Sequence, residues 1–224
     1  MKTISPKKTE TVGTLSHREK LTRLQRCMRT LLRIDASSQT TRSHSRALAD
    51  HLEARWRAVY PGGRILRRNP ASLPHLDEAT IAVFYAGGAT PTHDVPAGIV
   101  LSNALIAELR EADDILVSSA LYNFGMPSAL KAWIDHIVRF GYTIGPGAHG
   151  TVGLLSGKRA FLVTARGGNT PDYQSPVLKA VFDFIGIREQ YWISLNGTRL
   201  PDGQLEERIR AAKAAIDNLP LVCP

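Results

Sequence analysis

Three stretches of the 224-residue chain carry side chains whose types and spacing could do chemistry. Tyr122-Asn123-Phe124-Gly125 sets two rings, an amide and a glycine in succession. The rings offer apolar area, Asn123 offers both a donor and an acceptor, and Gly125 permits close backbone approach. That set suits a flat ligand, and it equally suits a loop whose rings plug a core. Residues 36–45, ASSQTTRSHS, hold six Ser/Thr around Arg42. At a helix N-terminus, exposed N–H groups, the positive dipole end, these hydroxyls and Arg42 would make a phosphate site. The plainer use is that Ser43 or Ser45 caps the helix. Ala165-Arg166-Gly167-Gly168-Asn169 brings two glycines that could present backbone N–H groups to a ligand. An ordinary strand-end turn would use them as well.

The rest of the chain supplies the elements that position these stretches. Leu31 to Asp35, Arg64 to Arg68, Ile115 to Val117, Ala160 to Thr164 and Gln190 to Leu195 are short apolar or extended runs, read as strands. Ile115-Leu116-Val117, after Asp113-Asp114, has the continuous apolar character of a strand buried on both faces. Leu48, Leu52, Trp56 and Val59 keep helical spacing, as do Leu101, Leu105, Leu109 and Ala112. Pro127 is expected as the first helical residue of a segment in which Leu130, Ile134 and Ile137 share a face with Trp133 beside them. Residues 176–185 read as helical, and Asp202 is expected to cap a last helix facing inward through Leu205, Ile209, Ala212, Ile216 and Leu219. Residues 69–96 read as a long irregular connection. Five strands alternating with helices specify a three-layer α/β domain with a doubly wound, five-stranded parallel sheet. The three chemical stretches then follow strands at their carboxyl ends, where open α/β sheets bind ligands.

Composition narrows the function classes. No apolar run approaches the ~20 residues of a membrane-spanning helix. Two cysteines, at positions 27 and 223, give neither a disulfide framework nor metal-ligand spacing, and suit a reducing compartment such as the cytoplasm. His44 and His51 could share a helix face, where a solvated pair is the simpler reading. The net charge of +8 is uneven. Residues 1–27 hold seven Lys/Arg against two Asp/Glu, net +5, and the rest holds 21 against 18, net +3. The body therefore lacks the basic, aromatic-interleaved stripe of a nucleic-acid binder. Residues 1–29 form a basic leader without a secretory apolar core, expected to be disordered or peripheral, or an artefact of start-site choice ahead of Met28. Residues 30–224 form the folded domain.

Two motif matches fail on context. Gly145-Pro146-Gly147-Ala148-His149-Gly150 spaces its glycines like a dinucleotide fingerprint, but a turn and a strand follow where a helix is required. Gly157-Lys158 hints at a phosphate loop, but Val152 replaces the leading glycine and Arg159 the closing hydroxyl. No Ser elbow, Cys–His pair or spaced carboxylate pair is present. A ring cofactor carrying its own chemistry fits better than side-chain catalysis.

With those residues in place, the chain resembles the FMN-dependent NADH azoreductase / NADH:quinone oxidoreductase family, of flavodoxin-like fold. The resemblance rests on LLRIDASSQTTRSHSRALAD, LPHLDEA, LSNALIAELREADDILV, LYNFGMPSALKAWIDHIVR, GLLSGKRAFLVTARGG and FIGI, in family order over about residues 30–218. The string YNFxxPxxLKxWID is its most specific part. The resemblance implies a homodimer with one FMN per subunit and NADH or NADPH as electron donor. It implies a ping-pong, two-electron reduction of small-molecule quinones and reductive cleavage of azo compounds. Carried over by position, Ser38, Ser43, His44 and Ser45 would hold the FMN phosphate. Leu121, Tyr122, Asn123 and Phe124 would line the isoalloxazine, and Ala165, Arg166, Gly167 and Gly168 would complete the ring site. Phe184 would form a wall of the substrate pocket, and Leu130 and Trp133 would face the dimer partner, with burial in their own subunit the alternative. The sequence departs from the family pattern with Ala120 for a frequent Pro and Ala165 for a frequent Ser. It also has TIGPGAHG, residues 143–150, where an aromatic-rich stretch usually stands.

Other classes leave different traces. A flavin-binding electron carrier would hold the ring without turning over NADH. A phosphoester hydrolase would need an activated nucleophile or a metal cluster beside the hydroxyl-rich loop. A nucleic-acid binder would rest on the charge of residues 1–27 alone.

Overall fold

A computed structural model describes residues 28–87, 92–168 and 170–222. The leader over residues 1–27 and Asn169 lie outside these described residues. Five strands form one parallel sheet: β1 (Thr30–Asp35), β2 (Arg64–Arg68), β3 (Asp114–Ala120), β6 (Arg159–Arg166) and β7 (Glu189–Asn196). Their spatial order is β2-β1-β3-β6-β7. Chain order therefore reverses direction between β1 and β3, and the crevice above that switch is the expected ligand site. A separate antiparallel hairpin pairs β4 (Ile144–Gly147) with β5 (Gly150–Gly153). The glycine-spaced stretch thus folds as a hairpin and opens no helix, which removes the dinucleotide reading on its own structural terms.

Two core layers follow from the alternation of strand side chains. Leu32, Ile34, Ile115, Val117, Ala160 and Leu162 face three helices. These are α3 (Ala97–Glu111), α4 (Ser128–Ile137) and α5 (Gln174–Ile185). Leu31, Leu116, Phe161 and Val163 face α1 (His44–Val59) and α6 (Asp202–Asp217). The central strands β3 and β6 are buried along nearly their whole length. That burial explains their unbroken apolar runs. Leu130 and Trp133 are fully buried among core residues of their own chain, so of the two readings left open for them burial holds and facing a partner does not.

Several boundaries also differ. Residues 69–96 are not irregular throughout: a 3₁₀ turn spans Pro70–Ser72 and α2 spans Glu78–Tyr85. Asp77 caps α2 by accepting from the Thr80 N–H at 2.8 Å. Pro127 is the N-cap of α4 rather than its first residue, and Pro201 rather than Asp202 is the N-cap of α6. Asp202 instead puts its negative charge in the first turn, where it complements the helix dipole. His51 bonds Asp217 across 2.8 Å, and among the described residues no group of three or more His, Cys, Asp or Glu is placed to hold a metal. Among those residues no helix is long and apolar enough to cross a membrane.

The edge of the sheet opposite the crevice is locked by charge. The Asp114 carboxylate is fully buried and accepts from Arg29, from Trp56 Nε1 at 2.8 Å, and from Arg159 Nε at 2.7 Å. Arg159 also donates to the Tyr60 hydroxyl at 3.0 Å. Burial disfavours the Asp114 charge, but the bonds from Arg159, Arg29 and Trp56 outweigh it and hold the carboxyl below its ordinary range. The cluster ties the starts of β1, β3 and β6 to the last turn of α1.

Candidate functional site

At the carboxyl edge, the loop after β1 runs directly into α1. Ser43 is the N-cap, its hydroxyl accepting from the Arg46 N–H at 3.3 Å. Ser45 lies fully buried with its hydroxyl 3.1 Å from that of Ser43. The capping use of Ser43 is therefore real, and it leaves the neighbouring hydroxyls and Arg42 for a ligand. Arg46 reaches back under the loop, donating to the Asp35 carbonyl at 3.0 Å and the Ser37 carbonyl at 2.7 Å. These bonds hold the loop open above the helix end.

The turn after β3 is held in an unusual conformation. Tyr122 and Gly125 exchange both backbone bonds, at 2.9 and 3.0 Å, around Asn123 and Phe124. Both central residues have positive φ, 47° and 72°. Such two-residue turns favour Asn and Gly, and Asn123 tolerates the left-handed region. Phe124 does not, and its φ costs about 1 kcal/mol. Gly125, expected to be the permissive position, does not carry a positive φ. Phe124 is half exposed, so the strain is not repaid by burial and instead holds its ring at the mouth of the crevice. We expect Phe124→Gly to stabilise the cofactor-free protein by about 0.5–1 kcal/mol and to weaken ligand binding. Thermal melts with and without ligand read both effects; destabilisation of the free protein would show that the turn is not strained.

Tyr122 joins two of the loops. Its hydroxyl accepts from the Ser38 N–H at 3.2 Å and lies 3.3 Å from the Ser37 hydroxyl. Ser38 itself is exposed and does not line the crevice, whereas Ser37 does. The Leu121 N–H donates to the Ala165 carbonyl at 2.9 Å, which binds the β3 turn to the end of β6.

Two hollows result. One, of about 200 Å³, is walled by Ser43, His44, Ser45, Arg42, Tyr122 and Ala165 among others. The second, of about 210 Å³, lies between Asn123, Phe124, Gly168 and Thr170. Leu121, Gly167 and Arg199 line both, so the two hollows adjoin and are described together as a trough. Among the described residues its walls contain three arginines (Arg42, Arg166 and Arg199), one histidine and no Asp, Glu, Cys or Lys. A dianionic phosphate with a flat ring fits that donor set. A self-sufficient hydrolytic centre does not.

The structure therefore brings together Ser43, His44, Ser45, Leu121, Tyr122, Asn123, Phe124, Ala165, Arg166, Gly167 and Gly168. It does not bring Phe184 to them. Phe184 is half exposed on the last turn of α5 and shares a different hollow with Val152, Gly157, Lys158 and Ala180. The β4–β5 hairpin packs against that turn: a Cβ on Gly153 would lie 2.1 Å from Gly186 N. Thr198 and Arg199, on the loop after β7, line the trough without having been singled out in the sequence. The signal was available in principle, because Gly197-Thr198-Arg199 also follows a strand of the parallel sheet at its carboxyl end.

The comparisons with known proteins agree with this architecture. A family model described as flavodoxin-like fold matches residues 29–219. An FMN-dependent NADH:quinone oxidoreductase of Xanthobacter autotrophicus is 41% identical over 204 residues, covering 86% of this chain and 98% of the relative. One of the same name from Nostoc punctiforme is 36% identical over 198 residues, covering 84% and 96%. Among solved structures, an azoreductase from Bacillus anthracis superposes with a TM-score of 0.76 at 21% identity, covering 85% of this chain and 98% of that one. A second from that organism, an FMN-dependent NADH-azoreductase in complex with FMN, gives 0.74 at 23%, covering 86% and 99%. At those identities the structural likeness speaks for the fold. The sequence likeness, spanning nearly the full length of the relatives, carries the family: the chain belongs to the flavodoxin-like family of FMN-dependent NADH:quinone oxidoreductases.

Proposed function

We propose that the chain is an FMN-dependent NAD(P)H oxidoreductase that reduces quinones and cleaves aromatic azo compounds. The observation that carries the proposal is the acid-free trough above the β1/β3 switch point. It has hydroxyls and Arg42 at a helix N-terminus on one side, and Phe124 with the Gly167-Gly168 turn on the other. The names of the Xanthobacter and Nostoc relatives support the same reading.

In this assignment Ser43, His44 and Ser45, with Arg42 and the first N–H groups of α1, hold the phosphate. Ser38 acts on that loop through its bond to Tyr122. Leu121, Tyr122, Asn123 and Phe124 flank the ring on one side, and Ala165, Arg166, Gly167 and Gly168 on the other. FMN, when bound, supplies the chemistry, accepting a hydride equivalent from NAD(P)H and passing two electrons on to the acceptor. The protein orients the ring, excludes water beneath it and provides backbone donors, with no acid or base of its own. Arg166 is already committed within the protein, donating to Asn196 Oδ1 at 2.6 Å and to the Thr170 carbonyl at 2.7 Å. Those two bonds stiffen the Gly167-Gly168 turn.

A homodimer completes the reading. Tyr173, the N-cap of α5, and Val177 and Phe184 within it are exposed at i, i+4 and i+11, with Val152 exposed on the neighbouring hairpin and Leu154 just after it. That apolar face suits a second copy of the chain. Phe184 lies outside the trough of its own chain and so walls a substrate site only across such an interface. We expect Phe184→Ala to raise KM for a quinone several-fold while leaving FMN affinity unchanged. An unchanged KM in a protein that sediments as a dimer would remove Phe184 from the pocket. The cytoplasm, where NAD(P)H is abundant, is the location that this reading proposes.

Steady NADH oxidation that depends on both FMN and added menadione is the functional test. Flavin uptake without turnover would instead indicate an electron carrier.

A further inference from the structure

We propose that Arg199 is a further cofactor-contacting residue, whose guanidinium stabilises the anionic two-electron-reduced ring over the oxidised one. The proposal rests on the assignment of the trough to FMN and deepens it.

The position of Arg199 is the first observation. It is one of three residues common to both hollows, so it sits at the seam where the phosphate end meets the ring end. Its turn is built to hold it there. The Arg166 carbonyl accepts from the Gly197 and Thr198 N–H groups at 2.9 and 3.0 Å, and the Gly167 carbonyl accepts from the Arg199 N–H at 3.3 Å. Gly197 has φ 84°, the left-handed value that lets the chain reverse after β7. The side chain then lies along Gly167: a Cβ there would be 3.0 Å from Arg199 Nε and 3.1 Å from its Cδ. A glycine at 167 thus gives the guanidinium room to cross the seam.

The second observation is the state of that charge. Arg166 directs Nε and Nη1 to Asn196 and the Thr170 carbonyl. The Arg199 side chain is exposed, and among the described residues no hydrogen bond or ion pair engages its guanidinium. Among the described residues no acidic side chain lines the trough to neutralise it. Arg42, on the α1 loop, lies at the phosphate end, so the positive charge at the seam has no assigned counterpart.

FMN's covalent structure supplies one. The ribityl chain that links phosphate to ring joins at N10, and N1 is two bonds from N10 through C10a. The edge of the ring nearest the seam therefore includes N1 and the C2 carbonyl. A hydride equivalent, two electrons and one proton, leaves the ring one unit more negative, with that charge on the N1–C2 edge. A cation held there contributes more to the reduced than to the oxidised state. Arg199 would thereby tighten reduced FMN selectively and raise the two-electron potential.

The test is a titration of the flavin-free protein with oxidised FMN and, anaerobically, with dithionite-reduced FMN. It compares wild type with Arg199→Gln and Arg199→Lys. The expected result is a loss of reduced-state affinity about tenfold larger than the loss of oxidised-state affinity in Arg199→Gln, with most of it retained in Arg199→Lys. A tenfold differential corresponds to a midpoint potential lower by about 30 mV for a two-electron couple. Equal losses in both states, or none in either, would overturn the role of Arg199 while leaving the cofactor assignment standing. A wild-type protein that binds FMN in neither state would overturn both.

Discussion

Asp114→Ala is expected to remove about 3–5 kcal/mol of stability, because it leaves the Arg159 and Arg29 charges and the Trp56 N–H without their shared partner. For a domain of this size that lowers the melting temperature by on the order of 10 °C. Asp114→Asn should be nearly as damaging, since the amide keeps the shape but not the charge. The same cluster sets a pH dependence. The folded carboxyl titrates below its ordinary value, so its contribution is complete above about pH 4 and is lost as pH falls through the folded pKa. Wild-type stability should therefore decline below about pH 4, and the variant should show a shallower decline. Denaturant unfolding at pH 7 and in acid measures both. A loss under about 1 kcal/mol at pH 7 would mean that the ion cluster contributes little beyond its own desolvation cost. The cluster lies at the edge of the sheet opposite the trough, so FMN affinity of the folded variant should be unchanged.

The second large effect concerns the phosphate end. Ser43→Ala with Ser45→Ala removes two hydroxyls 3.1 Å apart at the start of α1. Hydrogen bonds to a charged group contribute about 1.5–3 kcal/mol each, so the pair should weaken FMN by at least ~3 kcal/mol, or on the order of 100-fold. The lost N-cap adds about 1 kcal/mol of destabilisation, because the Arg46 N–H no longer has its acceptor. Fluorescence titration separates the two: affinity should fall far more than the melting temperature of the flavin-free protein. An affinity change below about threefold would move the phosphate elsewhere and leave Ser43 as a helix cap alone.

How much of this could be read from residues depends on burial. Strands β1, β3 and β6 were legible because burial on both faces demands continuous apolar runs, as in Ile115-Leu116-Val117. The loops at their carboxyl ends were legible because the order of elements places them on one edge. Helix α2 was missed because it has no buried stripe. Of its residues only Thr80 is buried, while Ile81 and Tyr85 are exposed, and the one usable cue was the Asp77 cap. The β4–β5 hairpin was missed because Gly-Pro-Gly runs against strand propensity. It forms where Gly153 packs against Gly186 and the Leu155 N–H donates to the Ile185 carbonyl. Within the site, the strain at Phe124 was invisible because positive φ at an aromatic residue contradicts local preference. Arg199 was missed because a lone charge in a turn has no spacing to mark it. Its place after a strand of the sheet marks the loop, but that it lies along Gly167, more than thirty residues away in sequence, shows only in the fold.

The absorption spectrum of the purified protein tests the central claim most directly. The account predicts a yellow protein, or one that turns yellow on adding FMN. Its visible flavin band should bleach on anaerobic addition of NADH and return when a quinone is supplied. A colourless protein that takes up no FMN, or a bound flavin band unmoved by NADH and NADPH, would contradict it.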